Sequence, residues 1–166
     1  MDRKIKGFTL IEMLVVLSIM AILFSIGIPA YTRWVTKYKI QNDTKTIFGV
    51  LNQARIKAFS EKRTCGISWS DSTFSQIELR CDKNYDGDID DTDELIQKID
   101  LKTSFEFNKN SNKVTFKKEG FASIQGSIYT TMPENNSKYN CIKISKTRIL
   151  MGHYSGGKCA AKFGSQ

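Results

Sequence analysis

The chain has 166 residues, with 25 Lys plus Arg against 17 Asp plus Glu and a formal charge of +8. Its 40% hydrophobic and 25% charged residues are ordinary for one folded domain, which argues against a collagenous, disordered or multi-span membrane chain. The average conceals a partition, because in the 21-residue run 8–28 only Glu12 carries a formal charge.

As a helix, that run is about 32 Å long and crosses a bilayer core of about 30 Å once. It is longer than the apolar stretch of a secretory signal peptide, about 7 to 15 residues, and no Ala-x-Ala pattern follows it. It therefore reads as a retained anchor or as a segment processed on the other side. Flanking charge does not orient it, since Arg3, Lys4 and Lys6 precede the span and Arg33, Lys37 and Lys39 follow. An ionised carboxylate alone in lipid is costly, so Glu12 either snorkels to the membrane surface or meets a partner. Cleavage between Gly7 and Phe8 would create a new α-amino group, which a neighbouring copy could offer to Glu12 as counter-ion.

The stretch Lys6-Gly7-Phe8-Thr9-Leu10-Ile11-Glu12-Met13-Leu14-Val15-Val16 resembles the prepilin signature of type IV pilins and type II secretion pseudopilins. It combines a short basic leader, a Gly before the cut, a Phe at the new terminus and one Glu in an apolar helix. The resemblance implies that a prepilin peptidase cleaves after Gly7 and N-methylates Phe8. It also implies that Glu12 engages the N-terminus of an adjacent pilin or pseudopilin during assembly. By the same resemblance residues 1–7 are cytoplasmic, and the chain passes once through a bacterial inner membrane. The C-terminal domain would lie in the periplasm until assembly into a pilus or pseudopilus.

Beyond Pro29, residues Tyr31, Trp34, Val35 and Tyr38 recur at helical spacing, and Ile40, Ile47, Leu51, Ala54 and Ala58 continue a one-sided stripe. The pattern predicts one helix over residues 8–62, bent near Gly27 and Pro29. Four segments follow: leader 1–7, transmembrane half 8–28, amphipathic exported half 29–64 and a β-rich domain 65–166. Within the last, residues 65–69, 74–79, 95–101, 105–107, 113–117, 126–130, 141–145 and 148–152 read as strands. The expected fold is α+β, a long N-terminal helix packed on an antiparallel sheet. The acidic turn after Arg80, Val114-Thr115-Phe116 with Gly120, Gly126 and Ile128, and the 142–150 strand pair closed by Cys159 resemble the FimT/FimU/GspH minor pilins and pseudopilins in particular.

Four cysteines in an exported domain predict two disulfides; Cys65 with Cys81 and Cys141 with Cys159 would staple two hairpins, and the other two pairings stay open. No Cys-x-x-Cys occurs and His153 is the only histidine, which disfavours zinc. No catalytic set is recognisable, so an enzyme is not expected. The segment 82–94 begins like an EF-hand loop, with Asp82, Asn84, Asp86, Asp88, Asp90 and Asp93 as candidate calcium ligands and Gly87 at the turn. An Asp in the last ligand place and the lack of flanking helices depart from that pattern, and a solvated acidic turn is the alternative.

Without residues 1–7 the chain has 22 basic and 16 acidic residues; setting aside 82–94 leaves 21 against 9, a +12 remainder. Lys109, Lys113, Lys117, Lys118, Lys143, Lys146, Arg148, Lys158 and Lys162 lie in the second half. Lys143, Lys146, Arg148 and Lys158 are the candidate double-stranded DNA contacts. Some FimT-like pilins bind DNA in natural transformation, but their Gly-Arg-x-Arg element is matched here by one arginine only, Arg148. A solvated charged face accounts for the same residues. The sequence thus points to a filament subunit that helps start or cap a type IV pilus or secretion pseudopilus, with a pilus-tip DNA-binding pilin as the alternative.

Overall fold

The structure is a computed structural model describing residues 8–132 and 137–161. Helix α1 spans Leu10–Glu61 and continues through Pro29, whose ring lacks the N–H that would bond to the Ser25 carbonyl. Eight strands follow among the described residues: β1 Cys65–Ser68, β2 Thr73–Cys81, β3 Glu94–Phe107, β4 Lys113–Phe116, β5 Gly126–Thr130, β6 Cys141–Ile144, β7 Ile149–Ser155 and β8 Lys158–Ala161. They form one antiparallel sheet in the order β4-β1-β2-β3-β5-β6-β7-β8. The chain divides into two compact units, 1–36 and 37–166, and the boundary falls within α1.

In the second unit α1 buries Ile40, Asp43, Thr44, Ile47, Val50, Leu51, Ala54 and Ala58. These positions fall three or four apart and so lie on one face. That face shares a core with Ile67, Leu79, Phe105, Phe116, Ile128 and Ile142 from six strands. Asp43, buried on this face, accepts a 2.8 Å hydrogen bond from the Thr103 hydroxyl of β3, so the carboxylate is not stranded in the apolar core. At one end of the core Trp69 stacks on Phe74, with ring centroids 4.5 Å apart, and meets Phe107 edge-on.

Two strand assignments differ from the sequence pattern. Residues 95–101 and 105–107 are one continuous strand, β3, because Leu101, Thr103, Phe105 and Phe107 alternate inward across the polar interruption. Thr103 takes an inward place because Asp43 satisfies its hydroxyl. Strand β8 has no counterpart in the sequence pattern; it forms a hairpin with β7 around Gly156 and Gly157, both at positive φ (57° and 76°), as a tight two-residue turn requires.

Cys65 and Cys81 face each other across β1 and β2 with Cα atoms 4.1 Å apart. Cys141 on β6 is bonded to Cys159 on β8, across the intervening β7, with Cα atoms only 6.0 Å apart. Flat strands two places apart are separated by about 9.5 Å, so the sheet curls sharply at this edge. Gly152 of β7 sits within that curl, where a Cβ would come 2.2 Å from the Ala160 carbonyl oxygen.

Glycines on the helix and in the sheet therefore have opposite consequences. A Cβ at Gly66 would lie 2.4 Å from the Val114 carbonyl oxygen, whereas one at Gly49 of α1 meets nothing within 4 Å. Gly66→Ala should destabilise the fold by about 1–3 kcal/mol, and Gly49→Ala should stabilise it by about 1 kcal/mol. Urea denaturation of the two variants in detergent should shift the midpoint in opposite directions; a shift of the same sign in both would contradict this packing.

Candidate functional site: the helical anchor and the loops of the sheet domain

The start of α1 is fixed locally. Thr9 precedes the first helical residue, and its hydroxyl accepts a 3.3 Å bond from the Glu12 N–H, with Glu12 in the third helical position of a Thr-x-x-Glu cap. Glu12 also places a negative charge in the first turn, where the helix dipole favours it. Every residue from 8 to 34 is exposed, including Phe8 and Glu12. Hydroxyls in this stretch turn back onto the helix: Ser18 donates to the Val15 carbonyl and Ser25 to the Ile22 carbonyl. The apolar segment thus leaves little polar demand outside itself, which suits a lipid or protein surround. Gly7, the expected cleavage residue, lies outside the described residues.

The acidic segment forms a closed loop between β2 and β3. Asp82 is buried, and its carboxylate accepts the N–H groups of Tyr85 and Gly87 at 2.6 and 2.8 Å. Tyr85 and Gly87 stand at φ +62° and +94°; the left-handed turn is natural for Gly87 and strained for Tyr85. Asn84 accepts the Asp86 N–H, Asp86 the Asp88 N–H, and Asp90 the N–H and hydroxyl of Thr92. Asp93 is buried and accepts the N–H groups of Lys83 and Asp90. Asp88 accepts the Ile89 N–H and also pairs with Lys113 at 2.6 Å. Arg80 holds the loop from below, donating to the carbonyls of Asp90, Asp91 and Asp93.

Backbone donors thus occupy the candidate ligands in this structure. Among the described residues, the loop's Asp and Glu side chains do not bring three ligand oxygens within 4.8 Å of one another. Glu61, Cys65 and Cys81 do converge in that way, but both sulfurs are spent in the disulfide.

The four basic residues selected from the sequence are exposed but do not form one patch. Lys146 and Arg148 lie in the turn before β7, and Lys158 pairs with Ser155 at its far end. A seven-residue strand, about 20 Å long, separates them. Lys143 projects from β6, Lys113 is committed to Asp88, and Lys162 lies outside the described residues. Sequence spacing missed a different grouping: Lys62 from the end of α1 and Lys117 and Lys118 from the turn after β4 line one hollow with Asp82, Tyr85 and Asp86. No local motif links residues so far apart in the chain.

A second hollow is lined by Glu106, Tyr129, His153 and Tyr154. Tyr129 and Tyr154 stack with centroids 4.1 Å apart, and the Tyr129 hydroxyl donates to Glu106 at 3.0 Å. His153 is half-buried, with Nδ1 3.1 Å from the Ser137 carbonyl oxygen. That contact gives the ring a structural place.

A capped apolar helix bearing one carboxylate, joined to a disulfide-stapled antiparallel sheet, defines a pilin-like subunit of the minor pilin and pseudopilin class. Residues 2–28 match the prokaryotic N-terminal methylation motif, and residues 43–147 match type II transport protein GspH. The chain belongs to the GspH family.

Prepilin peptidase-dependent protein D of Escherichia coli (strain K12) is 48% identical over 46 residues, which is 28% of this chain and 31% of that protein. The match therefore spans less than a third of that relative. Two crystal structures of the type IV minor pilin FimU of Pseudomonas aeruginosa (strain PAO1) align with TM-scores of 0.55 and 0.54. They are 16% and 17% identical and cover 76% and 72% of this chain, and 96% of each FimU chain. This is a likeness of fold, and neither it nor the family match brings DNA binding with it.

Burial first, and then the hydrogen bond to Glu106, push the Tyr129 phenol up to about 12. A phenol whose folded value exceeds its ordinary one, near 10, contributes stability below the ordinary value that is lost as pH rises through the folded value. Carbon-13 NMR titration of labelled tyrosine should show one ring ionising near pH 12. In Glu106→Gln that transition should move down while staying above the ordinary value, because burial remains; an unmoved transition would show that Glu106 has no part in it.

Proposed function

We propose that the chain is cut after Gly7 by a prepilin peptidase, N-methylated on Phe8 and carried into a filament as a minor subunit. There it helps start or cap a type IV pilus or a type II secretion pseudopilus. The observation that carries this reading is the wholly exposed stretch 8–34, helical from Leu10 and apolar through residue 28 except for Glu12, whose first part lies in the methylation-motif match over residues 2–28. An apolar helix surface of this length needs lipid before assembly and neighbouring helices afterwards. Glu12 would meet the new N-terminus of an adjacent subunit, which removes the cost of an isolated charge. The partly matching Escherichia coli relative is named for its dependence on prepilin peptidase, which supports the processing step. In this reading the chain crosses the inner membrane once and its sheet domain is periplasmic. The role is structural, as befits its family, rather than catalytic.

Mass spectrometry of the assembled protein should find an N-terminal peptide beginning with N-methylated Phe8. A Gly7→Glu variant should keep residues 1–7 and fail to enter filaments. Normal assembly and secretion by the uncut variant would sink the proposal. Genes for other minor pilins beside this one would favour a pilus, and genes for a secretin and secretion ATPase would favour secretion.

We also propose calcium as a ligand of the 82–93 loop. The bond from the Gly87 N–H to Asp82 joins the sixth loop position to the first, as in an EF-hand loop, and seven carboxylates within residues 82–94 would repel one another less around a cation. A calcium ion would have to draw the loop's carboxylate oxygens closer together than they stand and take Asp88 from Lys113, which sets a cost on binding. Calorimetry of the full chain with calcium should give a binding heat that Asp86→Ala abolishes. Equal heats in the two proteins would eliminate this loop, and no heat in either would eliminate calcium.

A further inference from the structure

Phe105 and Phe107 of β3 are buried in the core, so Glu106 between them projects from the opposite face of the sheet. Directly across the ladder from it stands Tyr129 of β5, itself set between the buried Ile128 and Thr130. Tyr154 of β7 stacks on the Tyr129 ring with the two planes only 2° apart, although β6 lies between their strands. Glu106 and this aromatic pair line one hollow together with His153.

Donors around this hollow are spent, whereas acceptors keep room. The Thr130 and Thr131 hydroxyls donate to the Ser104 carbonyl, and the Tyr129 hydroxyl donates to Glu106. His153 Nδ1 faces the Ser137 carbonyl oxygen and so carries the ring proton, which makes Nε2 of the neutral ring an acceptor. Glu106 takes one hydroxyl on each carboxylate oxygen, Thr73 at 2.9 Å and Tyr129 at 3.0 Å, and each oxygen retains a further lone pair. Half-buried, Glu106 forms no ion pair with a described residue, and it is the one formally charged side chain among the described residues that line the hollow. Glu61, Glu78, Asp88 and Glu94, by contrast, each meet a cation of their own chain.

We propose that this hollow binds a guanidinium group, held by the Glu106 carboxylate beside the stacked Tyr129 and Tyr154 rings. A guanidinium presents its N–H donors as a planar fork and has no acceptor, so it answers a carboxylate with both oxygens open and asks nothing of the spent donors. The aromatic pair attracts the same flat cation through its π-electrons. An ammonium ion is compact and more strongly hydrated, and it cannot bridge two carboxylate oxygens and lie against a ring in the same way. The group can come from an arginine side chain of a different subunit or from a free guanidino compound, and the chemistry of recognition is the same. This goes beyond the filament reading and does not depend on it, since the hollow lies on the sheet domain and that reading rests on α1.

The test follows the ring signals of carbon-13 tyrosine in the full chain, held in detergent, as N-acetylarginine amide is added; Tyr129→Phe and Tyr154→Phe assign the two rings. Both rings should shift and saturate at about millimolar concentration. N-acetylcitrulline amide, a neutral analogue of nearly the same shape, should bind about tenfold more weakly, the scale of losing a charge-assisted hydrogen bond, and N-acetyllysine amide should also bind more weakly. Glu106→Gln should weaken binding of the arginine amide about tenfold, with a melting curve that shows the fold retained. The comparison of arginine with citrulline uses the native chain and needs no variant to fold. Free arginine bound more tightly than its blocked amide marks a free guanidino compound as the ligand, and equal or weaker binding marks a side chain within a polypeptide. Absence of a saturable shift, equal affinity for the citrulline or lysine amide, or affinity unchanged in a folded Glu106→Gln protein would overturn the proposal. Cleavage after Gly7 and filament entry are scored separately, so either result leaves the filament reading to stand or fall on its own.

Discussion

The peptide groups of α1 bond to one another along the helix, and this is what allows one element to present an apolar surface all round in one stretch and a single apolar stripe in the next. From residue 8 to residue 34 every side chain is exposed and the serine hydroxyls fold back onto carbonyls. From Ile40 to Ala58 the buried residues lie on one face and form one wall of the sheet domain's core. The sheet needs that face: its inward residues, such as Ile67, Leu79 and Phe105, have no second sheet to pack against among the described residues. The Asp43–Thr103 bond adds a polar fastening in this core, where a sliding mismatch would leave a buried carboxylate without its donor.

The same sheet is held at both ends by means other than apolar packing. Near the β4 edge, Gly66 allows β1 to run close against the Val114 carbonyl, and Cys65–Cys81 joins β1 to β2. At the β8 edge, a two-glycine turn, Gly152 and Cys141–Cys159 together curl the last three strands. The last strand is short and poor in branched residues, so the turn and the disulfide hold it where side-chain packing holds the other strands.

That division explains what was legible in the sequence. The helix was readable to within two residues at its start and one at its end, because its apolar positions repeat with a helical period over many turns. The strands rich in branched and aromatic residues were readable for the corresponding reason, as 126–130 illustrates. Lys158-Cys159-Ala160-Ala161 carries no such pattern, and its one signal is the Gly156-Gly157 pair, which marks a hairpin turn only when a strand is recognised on each side of it. The break expected between 101 and 105 failed because Thr103 looks polar in sequence and is inward in space, a fact that depends on Asp43, sixty positions away. Of the candidate site residues, the cysteines and acidic loop are local in sequence and were found. The basic residues that share one hollow were not grouped, since Lys62 follows the end of α1 and Lys117 and Lys118 come from the turn after β4.

Net charge acquires meaning only once each charge is assigned a neighbour. Lys113 serves Asp88, Arg63 serves Glu61 and Glu94, and Arg80 serves Glu78 while holding three loop carbonyls; these cations stabilise local structure and their fields are largely cancelled nearby. Lys62 and Lys146 lie instead over aromatic rings, a contact that attracts the ammonium without neutralising it. A charge paired within its own chain is cancelled at the surface, whereas one resting on a ring retains a field outside the molecule. Lys62 and Lys146 therefore keep a field outside the molecule, beside the exposed rings of Phe59 and Phe121.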